Sequence, residues 1–221
     1  MTRSNTHFPR LSHAEVIARV QSACDDLVEM VTHNHQPPVS CRRRCDYCCR
    51  QPVFITPHEG LAIRDFVDAH GMAEAVRSST ARYLQAMASR PHARSGLATL
   101  LKSVQGLGPP PSDRQRAAVY GVHCPFLRDG MCSIYPARPL MCREHISFDD
   151  PQRCRRDEPF LGLEKPRFSE ITAYLAMESV PPNQRMRPVY EFEAAAADAE
   201  RCPPVAPAAL RKALKWKTGR A

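Results

Sequence analysis

Four cysteines fall within nine positions, Cys41, Cys45, Cys48 and Cys49, in the stretch CRRRCDYCC, with Arg42, Arg43, Arg44 and Arg50 around them. Four more follow at Cys124, Cys132, Cys142 and Cys154, the first three inside HCPFLRDGMCSIYPARPLMCREH. Thiolates at such density are soft metal ligands. A tetrahedral ion takes four and a four-iron cluster takes four, so eight thiols allow two mononuclear ions, two clusters or one thiolate-bridged centre. Thiolate chemistry suits zinc and iron alike. The two remaining cysteines of the ten, Cys24 and Cys202, stand far from other thiols. Cys24 lies on an apolar stripe and reads as a buried core thiol.

Local geometry leaves two arrangements open. On a helix at about 100° per residue, all four thiols of residues 41–49 would share one face and one inorganic centre. In an extended segment, adjacent Cys48 and Cys49 would point to opposite faces and serve two centres. The arginines have a matching reason. Four thiolates on one Zn²⁺ leave a charge of about −2, costly in a poorly solvated pocket unless cations or N–H donors lie close. Each arginine either offsets that charge or solvates a surface turn.

These two motifs together resemble the YkgJ family of cysteine-cluster proteins, a zinc- or iron-chelating domain with eight cysteines, across roughly residues 41–154. The more specific half is the second, with three cysteines, a proline after the first and the pattern IYxxRP between the second and third. The resemblance implies that Cys41, Cys45, Cys48, Cys49, Cys124, Cys132 and Cys142 are metal ligands, with Cys154 the eighth. Where the nominal pattern has two residues between its first cysteines this chain has three, and Arg44 stands where a glycine is expected. Flagellin lysine methylases resemble this family too and imply an iron–sulfur enzyme as an alternative.

The triplet Cys41, Cys45 and Cys48 also resembles the cluster loop of radical SAM enzymes, but that fold needs alternating strands and helices, and the neighbours here read as helical. His123 and His145 flank Cys124 and Cys142 and read as outer-shell or solvent-facing groups. Tyr135, Arg138 and Pro139 read as a rigid turn that aims Cys132 and Cys142. Asp149 and Asp150 read as a cap or turn before Pro151. No phosphate loop, Ser-His-Asp set or H-E-x-x-H occurs, so no catalytic residue is assigned and enzymatic activity stays open.

The elements that must position the thiols are helical. Ser12 and Glu15 form a capping box ahead of the stripe Ile17, Val20, Cys24, Leu27 and Val31. His33 and His35, past the end of that stripe, read as linker histidines. Thr56, Pro57 and Glu59 open a second helix that carries Leu61, Ile63, Phe66 and Val67 and ends before Gly71. Helix formers fill 72–90 and 94–105, and GLGPPPSD then breaks the pattern. The second cysteine motif predicts turns with a short hairpin and a short helix, RFSEITAYLAMES predicts a helix, and PAALRKALKWK a short amphipathic one.

The expected fold is mainly α: a helical domain with two irregular cysteine-rich metal-binding segments packed together and a weakly ordered C-terminal tail. The expected organisation is an N-terminal helix at 1–36, a cysteine-cluster domain at 37–180 and a Pro/Ala-rich basic tail at 181–221. The N-terminal stretch has no secretory apolar region and no window is apolar enough to span a bilayer, so a cytoplasmic protein with no membrane partner is expected. Reduced thiols in that compartment favour metal over disulfides. A formal net charge of +8 invites nucleic acid, but aromatics are sparse and the arginines crowd the cysteines. The reading is a metal-binding cysteine-cluster protein that takes zinc or iron, as ions or an iron–sulfur cluster. The alternatives are an iron–sulfur protein-modifying or redox enzyme and a basic adaptor for nucleic acid or an acidic partner.

Overall fold

The computed structural model describes residues 10–42, 44–155 and 185–218, and it is mainly helical. The expected helix in RFSEITAYLAMES, together with Arg43 and Arg156, lies outside the described residues. Helix α1, His13–Asn34, starts where Ser12 accepts from Glu15 N–H while the Glu15 carboxylate accepts from Ser12. Its buried face is Val16, Ile17, Val20 and Cys24. The stripe thins toward the C-terminus, where Leu27 and Val31 are only half-buried. Cys24 sits among apolar side chains, which push its thiol up to about 12, as a core thiol requires.

Helix α2, Pro57–Ala69, begins with the Thr56–Glu59 box and Pro57 in its first turn. Helices α3, Ala73–Ala88, and α4, Ala93–Val104, follow as the run of helix formers predicts. Past the proline-rich break comes α5, Asp113–Val119, capped by Ser112 with Gln115. With only seven residues it is too short for apolar periodicity to announce.

Two small sheets hold the irregular parts. Strand β1, Phe54–Ile55, pairs antiparallel with a late strand at Arg187–Pro188, while β2, Leu127–Arg128, and β3, Met131–Cys132, form a hairpin. Asp129 and Gly130, both at positive φ, make its two-residue turn. The short helices α6, Leu140–Glu144, and α7, Pro151–Arg155, complete the cysteine region. Counting the late strand as β4, the chain then forms α8, Phe192–Glu200, and α9, Pro207–Thr218, the latter where PAALRKALKWK predicted it.

The Pro/Ala-rich segment is more involved in packing than its composition suggests. Phe192, Ala195, Ala196 and Ala199 of α8 are buried against α2, and Leu210 and Ala213 of α9 join Val16, Val20 and Leu140 in one core. Leu11 and Val205 exchange both backbone hydrogen bonds, at 2.7 and 3.1 Å. Asp198, 1% exposed, accepts from Arg187 Nε at 2.6 Å and pairs with Arg201. Small alanines are what allow the close α2–α8 approach. A Cβ on Gly60 would lie 2.4 Å from the Ala195 Cβ and 2.8 Å from Ala196 N. Gly60→Ala is therefore expected to lower stability by about 2 kcal/mol despite the helix-propensity gain, measured as a lower urea midpoint with unchanged slope.

His58, in the first turn of α2, is fully buried, and neither ring nitrogen has a hydrogen-bond partner among the described residues. Its ring meets His13 edge-on, centroids 5.2 Å apart. Burial first, and His13 second, push its pKa down from 6.5 to about 4. The folded value lies below the unfolded one, so folding favours the neutral ring. Stability should be full above pH 6.5 and fall away as pH drops from there through about 4, by about 3 kcal/mol in the limit. His58→Leu should flatten that acid limb. A parent-minus-variant difference that stays constant across this window in urea titrations would refute the assignment.

Candidate metal centre

The first thiol-bearing segment is a loop pinned at its base. Ser40 donates from its backbone N–H and its hydroxyl to Ser147 O, at 2.7 and 2.8 Å. Cys45 N–H donates to Arg42 O at 2.9 Å, and between them Arg44 has a φ of +66°. That is the left-handed region in which a Cβ costs about 1 kcal/mol or more, which explains the expectation of glycine at this position. Arg44→Gly should raise stability by up to about 1 kcal/mol, with the larger unfolded-state entropy of glycine taking back part of the gain. A rise in urea midpoint checks it, and a fall would show that the Arg44 side chain contributes more than its backbone strain costs.

The chain then makes a 3₁₀ turn over Tyr47–Arg50, closed by Cys49 N–H to Asp46 O at 2.9 Å and flanked by an Asp46–Arg50 ion pair at 3.7 Å. The described residues of 41–49 thus form neither the single helix nor the extended strand that the sequence left open. Backbone bonds from this turn recruit the second motif. Cys124 N–H donates to Cys49 O at 2.7 Å and Gly121 N–H to Arg50 O at 2.8 Å. The β2–β3 hairpin carries Cys132, a 3₁₀ turn over Tyr135–Ala137 follows, and Pro139 leads into α6, which carries Cys142. Arg138 lies over the Tyr135 ring, 3.9 Å from its centroid, as the rigid-turn reading requires.

Two residues that the sequence left unnoticed in this role fix the remaining thiols. Ser147 donates its backbone N–H to Cys41 Sγ at 3.3 Å, and nothing in SFDDPQ announces it. Glu59, 1% exposed, accepts from Thr56 N–H and Thr56 Oγ–H through one oxygen, at 2.8 Å each, and from Leu140 N–H through the other, at 2.7 Å. The capping box was legible, but its second oxygen reaches 81 residues onward to hold the start of α6. Asp149 and Asp150 act as the turn before Pro151 predicts: Asp150 Oδ1 accepts from Gln152 N–H at 2.9 Å, ahead of Cys154 on α7. Gln152 also donates to Tyr47 Oη at 3.3 Å, docking α7 onto the 3₁₀ turn.

All eight motif thiols therefore come from segments that touch, and their electrostatics show who neighbours whom. Cys41 feels Cys45 and Cys48, and Cys154 feels Cys41, Cys48 and Cys45. Cys49 feels Cys48, Cys124 and Cys142, and Cys142 feels Cys124, Cys48 and Cys132. Cys48 is common to both groups. Burial pushes the thiols up, Cys124 to about 12 and Cys154 to about 11, with Cys41, Cys132 and Cys142 raised as well. The exception is Cys48, drawn down because the Cys49 thiol donates to it, which raises Cys49 in turn.

The arginines divide their work. Arg143, 5% exposed, is taken up by Asp25 of α1 at 2.5 Å and by the Pro136 and Arg138 carbonyls. Arg153 pairs with Asp149 at 3.3 Å, and Arg42 and Arg44 are exposed. Burial raises Cys132, opposed first by the Ile134 N–H and then by the Arg138 cation. Structural ties thus account for more of the arginines than thiolate charge does. His123 is exposed and His145 half-buried, in keeping with outer positions, whereas His35 is no free linker group, since its ring stacks on Phe148 at 3.7 Å.

An all-thiol donor set held in raised-pKa surroundings fits a zinc or iron centre, because a cation is what would make several buried thiolates affordable together. Among the described residues no three His, Cys, Asp or Glu side chains already converge on one point, so ligation would draw the thiols inward by side-chain rotation. No helix among the described residues is long and apolar enough to cross a membrane. No curated protein and no solved structure matches the chain. Residues 40–159, more than half of the 221, match the CxxCxxCC family, described as a "Putative zinc- or iron-chelating domain". The segment so matched contains every thiol of the assembled region, and the chain belongs to that CxxCxxCC family.

Proposed function

We propose that this chain holds zinc or iron through Cys41, Cys45, Cys48, Cys49, Cys124, Cys132, Cys142 and Cys154, as two four-thiol centres that part company between adjacent Cys48 and Cys49. The observation that carries this reading is the neighbourhood of the thiols: Cys45 and Cys48 both neighbour Cys41 and Cys154, while Cys124 and Cys142 neighbour Cys49 and bring Cys132, which neighbours each of them, into the second group. Each group supplies the four thiolates that a tetrahedral ion or a four-iron cluster takes. Because Cys48 also neighbours the second group, the centres lie close enough to influence one another. Bound metal would supply the positive charge that buried thiolates need and would tie segments distant in sequence together.

The test is metal and sulfide analysis of anaerobically purified protein with its visible absorption. Colourless protein with two zinc ions per chain supports two mononuclear centres, and coloured protein with iron and acid-labile sulfide supports clusters. A chain in which Cys132→Ser retains full metal would overturn the pooling of the two motifs.

A further inference from the structure

An open groove of about 470 Å³ runs between α3 and the Gly121–Leu127 segment, and Cys124 lies in its floor. That volume suits a small molecule. Arg82, Arg90 and His123 line it with Ser79 and Tyr83, and none of its lining residues is acidic among the described residues. Arg90 is fixed in place by donating to Tyr120 O and Ala117 O. Gly121, at a φ of +87°, leaves open the space that a side chain would occupy 3.9 Å from the Arg90 guanidinium. Arg82 is exposed and, among the described residues, bonds to Ser78 Oγ on its own helix, at 2.8 Å, which leaves most of its donors to the groove and solvent. The Tyr83 ring, which lines the groove, is buried and packs against Tyr190.

The sign of this charge is wrong for a bare divalent cation, which two guanidinium groups would repel from the Cys124 side. It is right for an anionic chelate. We infer that the groove binds a small polycarboxylate anion and that, given the thiol centre proposed above, this anion is the form in which metal reaches Cys124. Transfer is then a ligand exchange without change of oxidation state. A metal–carboxylate oxygen bond breaks, a metal–Sγ bond forms, and the Cys124 thiol proton passes to the freed carboxylate or to water. Arg82 and Arg90 hold the anion and the displaced carboxylate while this happens.

The probe is citrate, alone and as zinc citrate, against the full chain. Citrate should bind saturably, with inorganic phosphate as a weaker competitor. Arg82→Glu should weaken citrate binding and slow zinc uptake from zinc citrate about tenfold each, while uptake from aqua zinc stays at or above the parent rate. Arg94→Glu makes the same charge change on α4, outside the groove, and should leave all three unchanged. Absence of saturable citrate binding, or equal slowing by both variants, would overturn the groove as the site. Zinc bound to the same final ratio at rates indifferent to Arg82 overturns the groove and leaves the thiol centre standing. Citrate bound through Arg82 by a chain that takes up neither zinc nor ferrous iron overturns the thiol centre, and the carrier role with it.

Discussion

Cys48→Ser should release more metal than any other single cysteine substitution, leaving less than half of the parent's metal content. Serine is a hard, weakly acidic donor in place of a thiolate, and loss of a direct ligand should weaken affinity by at least the roughly 100-fold that outer-shell changes reach. What sets Cys48 apart is its position. It is the one thiol that Cys41 and Cys154 on one side and Cys124, Cys132 and Cys142 on the other all feel, and the one whose pKa is lowered. Cys154→Ser, at the far side of one group, should remove about half the metal on the two-centre reading, and Cys24→Ser, in the α1 core, none. Metal-to-protein ratios after gel filtration against a chelator read all three. Equal losses for Cys48→Ser and Cys154→Ser would mean that the second centre holds its metal without help from the neighbouring Cys48.

The second large effect belongs to a residue that ligates nothing. Glu59→Ala should cost about 3–5 kcal/mol of stability, because it strands Thr56 N–H, Thr56 Oγ–H and Leu140 N–H in a buried place, at roughly 1–3 kcal/mol per orphaned buried donor before any relaxation. It should also loosen α6 and with it Cys142. Two influences on Cys142 then oppose each other. The Glu59 charge helps to keep the Cys142 thiol protonated, so removing it favours thiolate, while losing the anchor at Leu140 misplaces it. Glu59→Gln separates them at some cost in stability, since the amide oxygen can still accept from Leu140 N–H while the NH2 group then faces Thr56 N–H. If position dominates, Glu59→Gln keeps metal near the parent level and Glu59→Ala loses affinity about 10–100-fold. If charge dominates, both variants bind more tightly than the parent. Chelator competition distinguishes the two, and denaturation of each variant reports the stability cost separately.

Where the sequence was most informative, the signal was local. The capping boxes at Ser12 and Thr56 and the Asp129-Gly130 turn depend on a few adjacent residues, and all appear as their chemistry requires. Arg44 is similar: a backbone demand for glycine was visible as a departure from a pattern before the positive φ explained it. What the sequence did not reveal depends on distant partners. Nothing around Glu59 says that its second oxygen holds Leu140, and nothing near Ser147 points to the Cys41 sulfur. FEAAAADAE reads as weakly ordered composition because alanine carries little apolar signal. Its burial becomes intelligible only beside Gly60, where the same small size is the condition for two helices to touch. The arginines teach a related lesson. Their proximity to cysteines in the sequence suggested charge balance, yet Arg143 points to Asp25 on α1 instead.

The backbone bond from Cys124 to Cys49 has a topological meaning. It brings together residues 75 apart in the chain, with α2, α3, α4 and α5 all contained between them. A metal gripping both thiols would be a removable cross-link around a loop of that size, which as a permanent link restricts an unfolded chain by about 4 kcal/mol. None of those four helices carries a ligand, yet each would owe part of its resistance to unraveling to the metal, and stripping the metal should loosen them as a group, farthest from the thiols included.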